Sequence, residues 1–268
     1  MKLLLLGHGY LGEAVVSRFR DAGWEVQPVS KSGDGEAMAC DVSDAAAVQA
    51  LPDADAVVHC AASGRGGGAE AYQKVYVDGC RHLADRYPDQ PLLFTSSSSV
   101  YGQTDGSVVT EESPTEPNRE TGELLLAAEA VVRENGGVVA RLSGIYGPGR
   151  SVILKKFLNG DAVIEEDGRR YLNQIHRDDA AEAVFKLIDS GAMGIFNVCD
   201  SQPLTQKQCY EALSEHFDRP LPPTGPRDLQ RKRGWTHKQV SNAKLLKTGW
   251  KPRFPCFLDA VPSVAQTL

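Results

Sequence analysis

Short apolar runs alternate along this chain with amphipathic stretches, and glycine-rich turns separate them. The first run, residues 3–6, is four leucines. Gly7-His8-Gly9-Tyr10-Leu11-Gly12 follows, and residues 13–19 then mix polar and apolar positions. That order predicts a buried strand, a glycine turn and a helix. Residues 24–29 predict a second strand, and 37–40 a short third one ending at Asp41-Val42. After a short alanine-rich helix, 55–62 predict a buried strand that ends in small residues. A helix over about 69–87 leads to a strand at 92–95. The helix predicted over 120–135 carries Leu124, Leu125, Ala128 and Val132 on its apolar side, and 138–142 form the next buried strand. Strands alternating with helices predict an α/β fold built on a doubly wound parallel sheet.

The rhythm changes at Gly144. Gly147-Pro148-Gly149-Arg150 interrupts it, 151–158 predict a short helix, and 162–175 predict a hairpin around Asp167-Gly168. His176-Arg177-Asp178-Asp179 caps a helix reaching 189, with acids in the first turn where the helix dipole favours them. A last sheet strand at 195–198, a helix at 205–217 and a proline-rich break at 219–226 follow.

The glycine turn is where this pattern acquires chemistry. A strand, G-x-G-x-x-G and a helix form the arrangement that binds a nicotinamide dinucleotide at the first crossover of a parallel sheet. Gly7 allows the tight turn, Gly9 lets the backbone approach a pyrophosphate, and Gly12 lets the helix pack on the strand. Tyr10 and Leu11 open the helix whose N-terminus faces the phosphates. The end of the second strand selects the cofactor, because an acid there holds the ribose 2′-hydroxyl of NAD. Ser30 and Lys31 stand there, with Asp34 and Glu36 only later, which favours NADP with NAD as second choice. Asp41 is placed near the adenine, and Cys60, Ala61 and Ala62 are small enough for a chain passing close to a dinucleotide. Gly64-Arg65-Gly66-Gly67-Gly68 is a candidate flap, and His59 reads as a core histidine. The hydroxyls of Ser96-Ser97-Ser98-Ser99 fall at the C-terminal end of a central strand, where doubly wound sheets bind ligands.

Composition narrows the classes. The formal net charge of -6 argues against a nucleic-acid partner. The opening apolar run is too short for an export signal, and no run approaches the ~18 apolar residues of a membrane span. The six cysteines are scattered without a C-x-x-C, as expected of buried thiols in a reducing cytoplasm. His59, His82, His176, His216 and His237 show no metal-ligand spacing, so no metal is expected. Arg227, Arg231, Lys232 and Arg233 form a local basic patch, read as a solvated surface or as a contact for an anionic substrate group.

Several segments together resemble the extended short-chain dehydrogenase/reductases, the NAD-dependent epimerase/dehydratase family. They are Gly7 to Gly12, Val57-Val58-His59-Cys60-Ala61-Ala62, Ser96 to Gly102, Arg141 to Arg150, Ile175-His176-Arg177-Asp178-Asp179 and Phe196-Asn197-Val198. The resemblance implies a Rossmann domain, 1–143 with 175–200, and a small C-terminal α/β substrate domain, 144–174 with 201–268. It also implies nucleotide-sugar substrates, often a homodimer, and a catalytic serine at Ser97. A Tyr-x-x-x-Lys pair normally completes the site, and aligned on Glu129 its positions hold Thr121 and Leu125. No tyrosine or lysine occurs from Gly102 to Ala140, so no shift of register restores the pair. The ending, Lys238 to Leu245 and Gly249-Trp250-Lys251-Pro252, is similar to bacterial members of an atypical branch.

Two classes of function remain. One is an NADP(H)-dependent oxidoreductase or epimerase acting on a nucleotide-sugar-like or carbonyl substrate, with a non-standard proton donor. Ser97, Ser98, Tyr101, Glu120 and Glu123 are its candidate proton carriers, with Tyr101 first and Glu123 second. The other is a catalytically inactive, nucleotide-bound sensor or scaffold.

Overall fold

A computed structural model describes residues 1–64, 67–228 and 235–268. The first half contains β1 (Lys2–Leu6), α1 (Tyr10–Asp21), β2 (Glu25–Ser30), β3 (Met38–Ala39), α2 (Ala45–Gln49) and β4 (Ala56–His59). Next come α3 (Ala69–Tyr72), a π-helical segment (Gln73–Asp78), α4 (Gly79–Arg86), β5 (Leu92–Ser97), β6 (Val108–Val109) and α5 (Glu120–Glu134). β7 (Val138–Leu142), β8 (Gly144–Tyr146), α6 (Val152–Leu158), β9 (Ile164–Glu165), β10 (Tyr171–Leu172) and β11 (Gln174–His176) follow. After α7 (Arg177–Asp189) lie β12 (Gly194–Val198), β13 (Leu204–Thr205), α8 (Gln206–Phe217), β14 (Thr224–Gly225) and β15 (Gln239–Val240). Two helices, α9 (Ala243–Leu246) and α10 (Phe257–Ala265), end the chain.

Seven strands form one sheet in the order β12-β7-β5-β4-β1-β2-β3, and every neighbouring pair is parallel. This is a Rossmann-type, doubly wound α/β fold. Because successive strand side chains point to opposite faces, the leucine run of β1 feeds two cores. Leu3 and Leu5 join Val15, Phe19, Val184 and Trp250 on the face covered by α1 and α7, where Arg18 and Glu182 also pair. Leu4 and Leu6 join Leu83, Phe94, Leu125 and Val132 on the face covered by α4 and α5. A third cluster, including Tyr146, Leu154, Phe157, Leu213 and Phe257, lies entirely among residues after 145.

The strand order places the site. The chain winds from β1 outward to β2 and β3, then crosses back to β4 on the other side of β1. Ligands bind at such a reversal, outside the carboxyl ends of the strands. Two expectations change. The hairpin predicted over 162–175 does not form, because β9 pairs with β14 and β10 with β13; both partners lie more than 30 residues away in sequence. The helix predicted over 69–87 is interrupted by the π-helical segment.

Candidate active site

Each glycine of the turn has its own physical reason. Gly7 has φ +98, a region costly for side chains, and a Cβ there would strike the backbone of Cys60 and Ala61. A Cβ on Gly12 would collide with the Gly7 carbonyl oxygen. Gly9 differs, since a Cβ there would meet nothing within 4 Å. That open space adjoins the N-terminus of α1, whose N-cap, Gly9, supplies no side-chain hydrogen bond. The first amides of α1 thus lack partners within the helix, and the dipole favours an anion there. The residues fit a dinucleotide pyrophosphate.

At the end of β2, Ser30 Oγ accepts from Gly33 N at 3.0 Å. Lys31, 82% exposed in its side chain, places Nζ 2.7 Å from Asp41 Oδ2. Lys31 and the Ser43 hydroxyl hold the Asp41 carboxyl down at about 2. The structure thus brings Ser30, Lys31 and Asp41 together at one edge of the crevice. It also returns Glu36 to the glycine turn, 4.0 Å from His8 Nε2, a proximity that a glycine-broken loop conceals. Arg20 grips both Glu36 oxygens, at 3.0 and 2.8 Å. Cys60, Ala61 and Ala62 follow β4 beside this turn, and Cys60 N donates to Leu6 O at 2.7 Å. His59 lies in the core, with Nε2 2.9 Å from Val75 O; burial brings it down to about 4.

Ser97 ends β5, and its hydroxyl accepts from Ser99 N at 3.2 Å. Ser98 is buried and meets Ser143 Oγ at 3.4 Å. Tyr101 has to be moved out of the site. It is 0% exposed, and its hydroxyl donates to Asn197 Oδ1 and accepts from Arg141 Nη1, both at 2.9 Å. Burial pushes the phenol up, so it is a structural group rather than a proton donor at a cleft. Arg141 in turn pairs with Glu129 at 2.6 Å, and Ser96 Oγ donates to Glu129 Oε1 at 2.6 Å. Glu120 and Glu123 are exposed in the first turn of α5. Glu123 stands two residues from both Thr121 and Leu125, so it leaves the helix on the opposite side from them. Thr121 is half-buried, and Leu125 is 5% exposed inside the core.

The glycine turn, the small β4 ending and the serine strand meet at one sheet edge. The pattern of the NAD dependent epimerase/dehydratase family matches residues 3–199. The chain belongs to this family. Protein YeeZ of Escherichia coli K12 is 29% identical over 224 residues, which span 74% of this chain and 77% of that protein. Human epimerase family protein SDR39U1, solved with NADPH, superposes with a TM-score of 0.85 at 21% identity, over 100% of both chains. A Thermus thermophilus UDP-glucose 4-epimerase, solved with NAD, gives 0.81 at 20% identity, over 100% of this chain and 98% of that one. At such identities the two structures establish the fold.

Beyond the sheet edge, a cavity of about 220 Å³ is lined by Ile145, Tyr146, Ile153, Arg170, Leu172 and Asn173 among others. Near it stands a residue whose role the sequence left undefined. Lys238 is 4% exposed, and its Nζ donates to Tyr101 O at 2.6 Å and to Thr236 Oγ1 at 3.0 Å. Burial, helped by Arg170, brings this lysine down to about 8. Tyr10 reaches across to the Gly147-Pro148 turn, its hydroxyl donating to Pro148 O at 3.1 Å, with the Arg150 and Arg177 guanidinium groups 5.0 and 5.1 Å from its ring centre. Of the basic patch, Arg227 pairs with Glu166 at 2.7 Å. Arg231, Lys232 and Arg233, and Arg65 and Gly66 of the flap, lie outside the described residues. No helix among the described residues is long and apolar enough to cross a membrane.

Proposed function

We propose that this chain is an NADP(H)-dependent oxidoreductase or epimerase of an atypical branch, which works on a carbonyl or nucleotide-sugar-like substrate without the Tyr-x-x-x-Lys pair. The open space at Gly9, before an uncapped helix at the sheet's reversal, carries this reading. The amides of Tyr10, Leu11 and Gly12 hold the pyrophosphate. Ser30 and Lys31 hold the 2′-phosphate, with Lys31 turning to it from Asp41, and Asp41 stays beside the adenine. Cys60, Ala61 and Ala62 give the backbone room to pass the dinucleotide, and Ser97 orients the substrate oxygen. Segments 1–143 and 175–200 form the cofactor lobe, and 144–174 with 201–268 form the substrate lobe. When bound, the nicotinamide supplies or accepts hydride.

Calorimetry with both cofactors tests this. A charge-assisted contact to the 2′-phosphate contributes roughly 1.5–3 kcal/mol, so NADPH should bind about tenfold to a hundredfold more tightly than NADH. Lys31→Glu should reverse the order. Equal affinity in the natural protein would remove the NADP assignment. The burial of Leu125 in the helix core favours a second reading, an inactive nucleotide-bound sensor or scaffold. That reading prevails if NADPH binds tightly and no substrate is turned over.

A further inference from the structure

If Tyr101 is structural and α5 carries no phenol, a proton donor has to come from another element at the ligand edge. The π-helical segment between α3 and α4 supplies one. Its wider turn inserts an extra residue and re-aims the side chains around it, a feature frequent at functional sites. Tyr76 lies in this segment, half-buried. Its ring is held by Tyr72 at 4.9 Å, Phe94 at 5.8 Å and His59 at 6.5 Å between centroids. Its hydroxyl oxygen accepts from Ser63 N at 3.2 Å.

Ser63 directly follows the Cys60-Ala61-Ala62 ending of β4. In the sheet, β4 lies between β1, which leads to the glycine turn, and β5, which ends at Ser97. The phenol is therefore anchored at the end of the strand that separates the two halves of the site. Tyr76 packs against the same apolar cluster as Leu125, and α5 packs on the π-helical segment. No described residue takes the Tyr76 proton, since the Ser63 contact uses the oxygen as acceptor. The hydroxyls of Tyr10 and Tyr101 already donate, to Pro148 O and Asn197 Oδ1.

We propose that Tyr76 is the catalytic proton donor of this protein, supplied by the helix that packs on α5. The proposal rests on the NADP(H) reading above. In carbonyl reduction, hydride from the reduced nicotinamide forms the new C–H bond, and the C=O π pair becomes an oxygen lone pair. That lone pair takes the Tyr76 O–H proton, giving the alcohol and a phenolate. Water then returns a proton to the phenolate.

The test compares the natural protein with Tyr76→Phe, with Tyr76→Leu as a second variant should phenylalanine disturb the fold. NADPH binding is followed by cofactor fluorescence, and NADPH oxidation is screened with a panel of aldehydes, ketones and nucleotide sugars across pH. Tyrosinate absorbance is titrated at alkaline pH with and without NADP⁺. Tyr76→Phe should bind NADPH within about threefold of the natural protein yet reduce the best substrate ~10²–10⁴-fold more slowly. NADP⁺ should alter the titration of one tyrosine, and this change should be absent from Tyr76→Phe. A variant with full rate and an unchanged pH profile overturns the proposal, as does a titration indifferent to NADP⁺. A natural protein that binds NADPH but reduces no carbonyl overturns the catalytic role alone. Failure to bind NADPH at all overturns the cofactor reading beneath it.

Discussion

At the scale of single residues, the glycines of the turn divide into those that serve packing and the one that leaves space. Gly9 has an extended backbone, φ -118, which any residue can adopt, and a side chain there points into open space. Gly9→Val should therefore fold, losing no more than about 1 kcal/mol, as for a poor N-cap, while blocking the approach of a pyrophosphate. Gly12→Val drives a side chain into the Gly7 carbonyl and should destabilise by about 1–3 kcal/mol or more. Urea unfolding and NADPH titration of both variants separate the two effects. Normal cofactor uptake by Gly9→Val would reduce the turn to a packing motif. The motif itself was legible because its spacing is local. That spacing also gave the open approach to Gly9; what it could not give is the neighbour that fills the space at Gly7, the Cys60 and Ala61 backbone that follows a different strand.

At the scale of elements, a buried polar chain ties β5, α5, β7 and β12 together through Ser96, Glu129, Arg141, Tyr101 and Asn197. Buried charges survive only when paired and hydrogen-bonded, and here Glu129 accepts from both Ser96 and Arg141. Asn197 N also donates to Glu111 Oε1 at 2.7 Å, and its Nδ2 donates to Ser241 O at 3.2 Å. Tyr101→Phe would leave one Arg141 donor and the Asn197 oxygen without their partner. The expected loss is about 1–3 kcal/mol of stability, with cofactor affinity unchanged within about twofold. Calorimetric unfolding beside cofactor titration checks it. Lost cofactor binding at unchanged stability would return Tyr101 to the site. The sequence made this tyrosine the first candidate proton carrier and could not show that its side chain turns inward, because Asn197 lies 96 residues away.

At the scale of the whole molecule, Lys238 ties the C-terminal part of the chain to the end of the serine strand. Its ammonium is buried against two neutral oxygens, and no described carboxylate lies within 4.0 Å. Lowering from 10.5 to about 8 corresponds to roughly 3 kcal/mol against the charged form. Below about pH 8 folded and unfolded lysines are both charged, so the penalty is fully present. Between about 8 and 10.5 the unfolded chain holds a proton that the folded one has released, so stability rises with pH. The stability of the natural protein relative to Lys238→Met should climb by up to roughly 3 kcal/mol across that window. Urea unfolding of both proteins at several pH values measures the difference directly. A flat difference would show that the ammonium is not held as described.

Local order was enough to determine the sheet. The short apolar runs of β1, β4 and β5, the glycine turn and the helix patterns of α1, α5 and α7 each depend on neighbours a few residues apart. The lack of any tyrosine or lysine from Gly102 to Ala140 is likewise a fact of sequence. The short strands after Gly144 resisted, because β9 and β10 are two residues long and pair with β14 and β13 rather than with each other. Tertiary structure alone decided the chemistry of the polar side chains. It buried Tyr101 through Arg141 and Asn197, turned Lys238 onto the Tyr101 carbonyl, and held Tyr76 at Ser63 through a π-helical turn. A side chain's role depends on what surrounds it, and in this fold those surroundings come from strands and helices distant along the chain.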